Sequence, residues 1–141
     1  MRKTEAWFAT MMALLAIGLL FAFCTCSEAR AEDRKTSVKS MLSSATYSAG
    51  SAAYSSGFEV GQFNEGLILI DVTAEAETST LDVVVQTSPD DATWFAHTTV
   101  SQITATGQYL QAISNFGKYV RIKYTVGGTS FTFSIKGVFK N

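Results

Sequence analysis

The stretch YVRIKYTVGGTSFTFSIKGVF, residues 119–139, decides the fold class because apolar and polar side chains alternate along two segments of it. A period of two is typical of a β-strand with one face on the core. Gly127 and Gly128 separate the segments and permit a tight reversal, because glycine tolerates positive φ. The stretch therefore predicts a β-hairpin. Its predicted inward residues are Val120, Ile122, Tyr124, Val126, Phe131, Phe133, Ile135 and Phe139.

The same period recurs earlier in the chain. In GLILIDVTAEAE (66–77), Ile68 and Ile70 fall on one face, and Leu67 and Leu69 fall on the other. We expect this strand to begin buried on both sides. No 3.6-residue apolar stripe follows the first 31 residues, so the sequence predicts an antiparallel all-β sandwich, jelly-roll-like. Further predicted strands are TSTLDVVVQTS (78–88), WFAHTTVSQI (94–103) and QYLQAI (108–113).

The segment TSPDDATWF (87–95) lies between two predicted strands and contains the only proline of the chain. Pro89 sets φ for the first corner of a turn, and Asp90 and Asp91 favour turns by bonding nearby backbone N–H groups. We interpret the segment as a hairpin turn, with Trp94 or Phe95 closing the end of the core. A calcium site is the weaker alternative, because Ca²⁺ takes about 6–8 oxygen ligands and no spaced series of acids is present.

The first residues resemble a targeting segment. A basic start precedes the uncharged apolar run Phe8–Phe23, and Ala29-Arg30-Ala31 supplies a small-x-small exit. We therefore predict a signal peptide over 1–31, preceding the sandwich as a helix, with an uncleaved membrane anchor through 8–23 as the alternative. Residues 32–57 are predicted to be a polar Ser/Ala/Gly-rich linker or arm. The β-sandwich domain is predicted over 58–141, with strands from residue 41 as the alternative.

Composition and charge argue against several functions. Cleavage after Ala31 would remove both cysteines, three of 11 basic residues and two of 12 acidic residues, leaving a net charge of −2. No basic patch then remains, so we expect no nucleic-acid partner. His97 is the only histidine and cannot form a conventional zinc site alone. We expect no enzyme, no cofactor and no metal. A glycosidase would need a pair of carboxylates. The candidate acids are Glu59, Glu65, Asp71, Asp82, Asp90 and Asp91, but any sandwich carries such acids.

A contact surface is the remaining hypothesis for function. Arg121 and Lys123 lie on the outer side of one predicted strand beside Tyr119. Positive side chains there protect a sheet edge, or they contact a partner. Trp94, Phe95 and Tyr109 complete the predicted contact residues, and an exposed Trp94 would stack on a sugar. We expect other protein subunits as partners, in a homo-oligomer or a larger assembly. A secreted carbohydrate-binding or adhesive module, with a glycan partner, is the alternative.

The chain also resembles a known group of proteins. The phrases GLILIDVTA (66–74), ITATGQYLQAI (103–113) and YVRIKYTVGGTSFTFSIKGV (119–138) are similar to small β-sandwich proteins from the virion-structure modules of tailed phages. The resemblance covers residues 41–141 and consists of strand and turn phrases without a catalytic signature. It implies a non-enzymatic virion component, such as a capsid-decorating or head–tail accessory protein.

The first 31 residues depart from that pattern, because phage capsid accessories assemble in the cytoplasm without an export signal. Three explanations remain open: a module recruited to an exported bacterial protein, a phage protein with an unusual leader, or a true start as late as Met41. The predicted location is accordingly periplasmic or extracellular if the leader is used. It is the virion if the phage resemblance holds.

Overall fold

The computed structural model describes residues 35–141, which form an all-β structure. Nine strands occur in this part of the chain, which contains no helix long and apolar enough to cross a membrane. The predicted leader, with its apolar run, lies outside the described residues. The strands are β1 (Thr36–Ser48), β2 (Ala53–Tyr54), β3 (Phe58–Glu59), β4 (Glu65–Glu75), β5 (Thr80–Ser88), β6 (Phe95–Thr99), β7 (Gly107–Ser114), β8 (Tyr119–Gly127) and β9 (Ser130–Lys140).

The strands form two antiparallel sheets that pack face to face. Sheet A has the strand order β1-β9-β4-β7, and sheet B has the order β2-β8-β5-β6, with β3 also paired to β8. The predicted fold class, an antiparallel all-β sandwich, is confirmed. Sandwiches of this kind bury the inner faces of both sheets and leave both outer faces available.

The core consists of the side chains that the period-two pattern directs inward. Phe131, Phe133 and Phe139 of β9 are fully buried and meet branched aliphatic side chains from sheet B. Each such side chain contributes about 1.5–3 kcal/mol when it leaves water. The fully buried aliphatic residues of β4, β5 and β8 are Ile68, Ile70, Leu81, Val83, Val85, Val120 and Ile122.

The predicted hairpin at residues 119–139 is wrong, although its inward residues are correct. β8 pairs with β5 in sheet B, whereas β9 pairs with β1 and β4 in sheet A. The chain therefore changes sheets at Gly127 and Gly128. Gly128 has φ +79°, and a Cβ there would lie 2.7 Å from the Thr78 carbonyl oxygen. Alternation cannot distinguish a hairpin within one sheet from a connection between two sheets, because a strand that faces the core shows the same pattern in either case.

Residues 36–48 lie within the segment predicted as a polar linker or arm (32–57), for which strands from residue 41 are the alternative. These residues form β1, the edge strand of sheet A, which pairs with β9 from Thr36 opposite Lys140 to Ser48 opposite Ser130. Its many serines gave no apolar signal, but a backbone ladder needs none. Met41 is the buried side chain of this strand. The division of the chain into leader, arm and domain stays a prediction.

Candidate contact faces

The outer face of sheet A carries two adjacent rows of outward side chains, which we call the apolar rows. The first row crosses all four strands and is apolar throughout. The second row is apolar only on β4 and β7. The register aligns Val38, Val138, Leu67 and Ala112 in the first row, and Ser40, Lys136, Leu69 and Leu110 in the second.

The apolar rows are open to solvent. Val38 and Leu110 each expose 64% of their surface, and Leu67 exposes 36%. The prediction that β4 begins buried on both sides is therefore wrong, because Ile68 and Ile70 face the core whereas Leu67 is exposed on the opposite face. Exposed apolar residues that occur singly are ordinary, whereas neighbouring ones across a whole sheet indicate an interaction surface.

Charged groups border the apolar rows along the strands. At one end, the Nζ atom of Lys140 lies 3.0 Å from Oε2 of Glu65 on the neighbouring strand β4. At the other end, Asp71 lies opposite Ser134. Shallow grooves run beside β4, and their walls include Leu67, Leu69 and residues of β7 and β9. An apolar centre with a polar rim is the usual anatomy of a protein–protein contact.

The outer face of sheet B has a different arrangement, which we call the aromatic–guanidinium ladder. The Arg121 Cζ atom lies 4.4 Å from the ring centre of Tyr54 on one side and 4.2 Å from that of Trp94 on the other. The Arg121 Nε–H group donates a hydrogen bond of 2.8 Å to Oε1 of Gln86. Guanidinium groups pack favourably on aromatic faces. The ladder therefore joins β2, β8, β5 and the start of β6 within one chain.

The structure separates the predicted contact residues. Trp94 and Arg121 meet in the ladder, with Lys123 two residues further along β8 and opposite Tyr54. Tyr119 lies beneath Lys118, whose Nζ atom is 5.2 Å from the ring centre. The other two predicted residues lie apart from this group. They are Phe95, which is 56% exposed on β6, and Tyr109, which packs partly against the core from β7 of sheet A.

The prediction that Trp94 or Phe95 closes the core is wrong. Trp94 packs on Arg121 outside sheet B, and Phe95 is largely exposed. Side-chain alternation does not predict Tyr54 in this site, because β2 contains only two residues and has no readable period. Alternation also does not predict that Leu67 and Leu69 lack a covering layer. The pairing of β4 with β7 and β9 is what aligns them with other apolar residues.

The segment 87–95 is the predicted hairpin turn between β5 and β6. The Asp90 carboxylate accepts hydrogen bonds from the Ala92 and Thr93 amides and from the Ser88 and Thr93 hydroxyls. These bonds, the Thr93 amide first, lower the pKa of Asp90 to about 2. Asp91 has φ +61°, a conformation that Asp tolerates in turns. Asp90 thus stabilises the turn.

The remaining titratable candidates make local contacts. His97 uses one ring nitrogen toward the Thr98 hydroxyl and the other toward the Ser114 carbonyl, which links β6 to the end of β7. Glu59 forms an ion pair of 3.3 Å with Lys118. Within residues 35–141, no three His, Cys, Asp or Glu side chains are grouped so as to hold a metal ion.

Comparisons with known proteins agree with the fold. The family described as "Domain of unknown function (DUF6385)" matches residues 72–140, a little less than half of the chain. No curated protein matches the sequence. Among solved structures, the chain is similar to PBSX exported protein XepA, with a TM-score of 0.58 and 13% identity over 74% of this chain. The chain covers only 36% of XepA.

Two further structures have the same fold at low identity. SPBc2 prophage-derived protein YomS has a TM-score of 0.52 and 15% identity, covering 77% of this chain and 95% of YomS. A chain of infectious bursal disease virus has a TM-score of 0.51 and 10% identity, covering 77% of this chain and 32% of the viral chain. At these identities the similarity shows a shared β-sandwich and nothing about activity.

Proposed function

We propose that this chain is a non-enzymatic structural protein that works by contact between protein surfaces. The observation that carries the proposal is the outer face of sheet A, where the apolar rows lie exposed and have a charged border. The contact face is therefore assigned to sheet A, whereas the sequence alone pointed to residues that are mostly on sheet B.

The energetics favour a protein partner for the apolar rows. Covering apolar surface gains about 25 cal/mol for each Å² removed from water, and aliphatic side chains contribute in proportion to the area they lose. Val38 and Leu110 keep most of that area exposed in the single chain. Association must also overcome a loss of translational and rotational freedom of several kcal/mol. A partner that covers all four strands of a flat sheet face together buries enough apolar surface to offset that cost.

The finer proposal is a virion component, of the capsid-decorating or head–tail accessory type. Its support is the resemblance of residues 41–141 to phage virion-structure proteins. The shared fold with a prophage-derived protein, an exported PBSX protein and a viral particle chain also supports it. The corresponding location is the virion or the exterior of the cell.

Particle fractionation tests this function. Phage particles induced from a strain that encodes the chain are separated on a density gradient, and each fraction is analysed by mass spectrometry. We expect the chain to sediment with the particles. Recovery only as free protein at the top of the gradient contradicts a virion role. N-terminal sequencing of the recovered protein tests the leader: Glu32 as the first residue indicates cleavage, and Met1 or Met41 indicates that the leader is retained or not translated.

The carbohydrate-binding alternative receives less support from the described contacts. Sugar recognition uses a bare aromatic face, and the Arg121 guanidinium already packs 4.2 Å from the ring centre of Trp94. Tyr54 is shared with the same guanidinium. Trp94, the residue predicted to stack on a sugar, is therefore already paired with Arg121 within the chain.

A further inference from the structure

We propose that the occupant of the sheet A outer face is a second copy of this chain, and this proposal rests on the function proposed above. The two copies pack outer face on outer face about a two-fold axis that runs along the strands, between β9 and β4. Sheets that pack face to face keep their strands within about 30° of each other and about 10 Å apart. Such an interface uses the same surface patch on both copies.

The first argument is apolar self-complementarity. The order β1-β9-β4-β7 means that this axis places β9 over β4 of the second copy, and β1 over β7. Val138 then faces Leu67 of the second copy, and Val38 faces Ala112, because all four lie in one row. The first apolar row thus covers itself along its whole length.

The second argument is charge complementarity. Lys140 and Glu65 lie opposite each other at the border of the apolar rows, one on each side of the proposed axis. The rotation therefore brings Lys140 over Glu65 of the second copy, and Glu65 over Lys140. Opposite charges meet at the rim of the contact, where they favour one register over others. Lys136 can lay its aliphatic stem on the apolar surface while its ammonium stays in water.

The third argument is size. β7 is the shortest strand of sheet A, and its eight residues limit the length of the contact along the strands. Four strands about 4.8 Å apart and about eight residues long, at about 3.3 Å per residue, cover a flat area of about 500 Å². Side-chain relief raises the accessible area above this figure, and small specific interfaces bury about 600 Å² on each partner. The face is therefore sufficient for a reversible dimer.

Sedimentation equilibrium of the full chain over a range of concentrations tests the proposal. The parent protein is expected to show a concentration-dependent dimer. Leu67→Glu is expected to weaken dimerisation by at least about tenfold, because it places an unpaired charge at the centre of the contact. Leu110→Glu is a second variant whose side chain is largely exposed. Phe95→Glu is the matched control, since Phe95 is similarly exposed on sheet B.

Charge exchange tests the axis itself. Glu65→Lys is expected to weaken the dimer, because it sets lysines against each other, and adding Lys140→Glu is expected to restore it. A parent protein that stays monomeric, an oligomer unaffected by the sheet A variants, or a closed ring of three or more copies overturns the proposal. A monomer that still sediments with phage particles would leave the proposed function intact. A dimer absent from particles would sustain this inference and contradict the virion role.

Discussion

The outer faces of the two sheets differ in whether their side chains find contact partners within the chain. On sheet B, the Arg121 guanidinium lies between Tyr54 and Trp94 and donates to Gln86, so polar and aromatic groups find partners within the chain. On sheet A, Val38 and Leu110 expose 64% of their surface and have no covering layer within residues 35–141. Both faces come from strands with the same two-residue period. Phe95 is exposed singly on sheet B, whereas the exposed apolar residues of sheet A occupy neighbouring positions across four strands, so the comparison favours sheet A as the contact face.

The largest expected difference in unfolding free energy is between a substitution on the inner side of sheet A and one on its outer side. Phe133 is fully buried, with its ring centre 4.5 Å from that of Tyr47, so Phe133→Ala is expected to cost about 3–5 kcal/mol of unfolding free energy. Leu110→Ala on the outer side is expected to stay within about 0.5 kcal/mol. Urea unfolding at low protein concentration measures both. A cost above about 2 kcal/mol for Leu110→Ala in the monomer would mean that the outer face belongs to the core.

A smaller difference in unfolding free energy is expected between substitutions of the outward-facing cations on the two sheets. Arg121→Ala is expected to cost about 1 kcal/mol, because it removes the packing on two aromatic rings and the bond to Gln86. Lys136→Ala on sheet A is expected to change stability by less than about 0.5 kcal/mol. Arg121→Lys keeps the charge but loses the planar packing and should resemble Arg121→Ala. Equal costs for Arg121→Ala and Lys136→Ala in urea unfolding would contradict the ladder.

The smallest effect concerns the turn at the end of sheet B. The pKa of Asp90 is lowered from 3.8 to about 2, so the folded state favours its carboxylate. This contribution to stability is complete above about pH 4 and is lost as the pH falls through about 2. Asp90→Asn should therefore lose less stability than the parent between pH 4 and pH 2, as measured by urea midpoints. Asp91→Asn is the matched control, because it leaves the hydrogen bonds of Asp90 in place. An unchanged acid response in Asp90→Asn would refute this role.

Much of the fold could be predicted from the alternation of side chains. The inward residues of β8 and β9 are buried as expected, and the turn at 87–95 joins β5 to β6. The alternation identifies which side chains face the core but carries no information about which strands share a sheet. Alternation on both sides of Gly127 and Gly128 consequently predicts a hairpin where the chain changes sheets. β1 was interpreted as a linker, because its pairing to β9 depends on backbone groups that every sequence possesses.

The candidate contact face was harder to predict than the fold. The pattern in GLIL, apolar on both sides of β4, predicts burial on both sides and an interior position for Leu67. Whether an apolar side chain is covered depends on the layer above it, and no layer within residues 35–141 covers the outer face of sheet A. The sequence placed the contact residues near Trp94 and Arg121 instead. Those side chains contact each other, which sequence spacing cannot reveal.

Carbene footprinting of Leu110 and Phe95 tests most directly whether the outer face of sheet A is the contact face. The protein is labelled once as purified in its native assembly and once after dilution to the monomer, and peptide mass spectrometry measures labelling at each residue. The two side chains have similar exposure in the single chain, 64% and 56%. We expect Leu110 to be protected in the assembly while Phe95 is labelled equally in both samples. Equal labelling of Leu110 in both samples, or protection of Phe95 alone, would contradict the account.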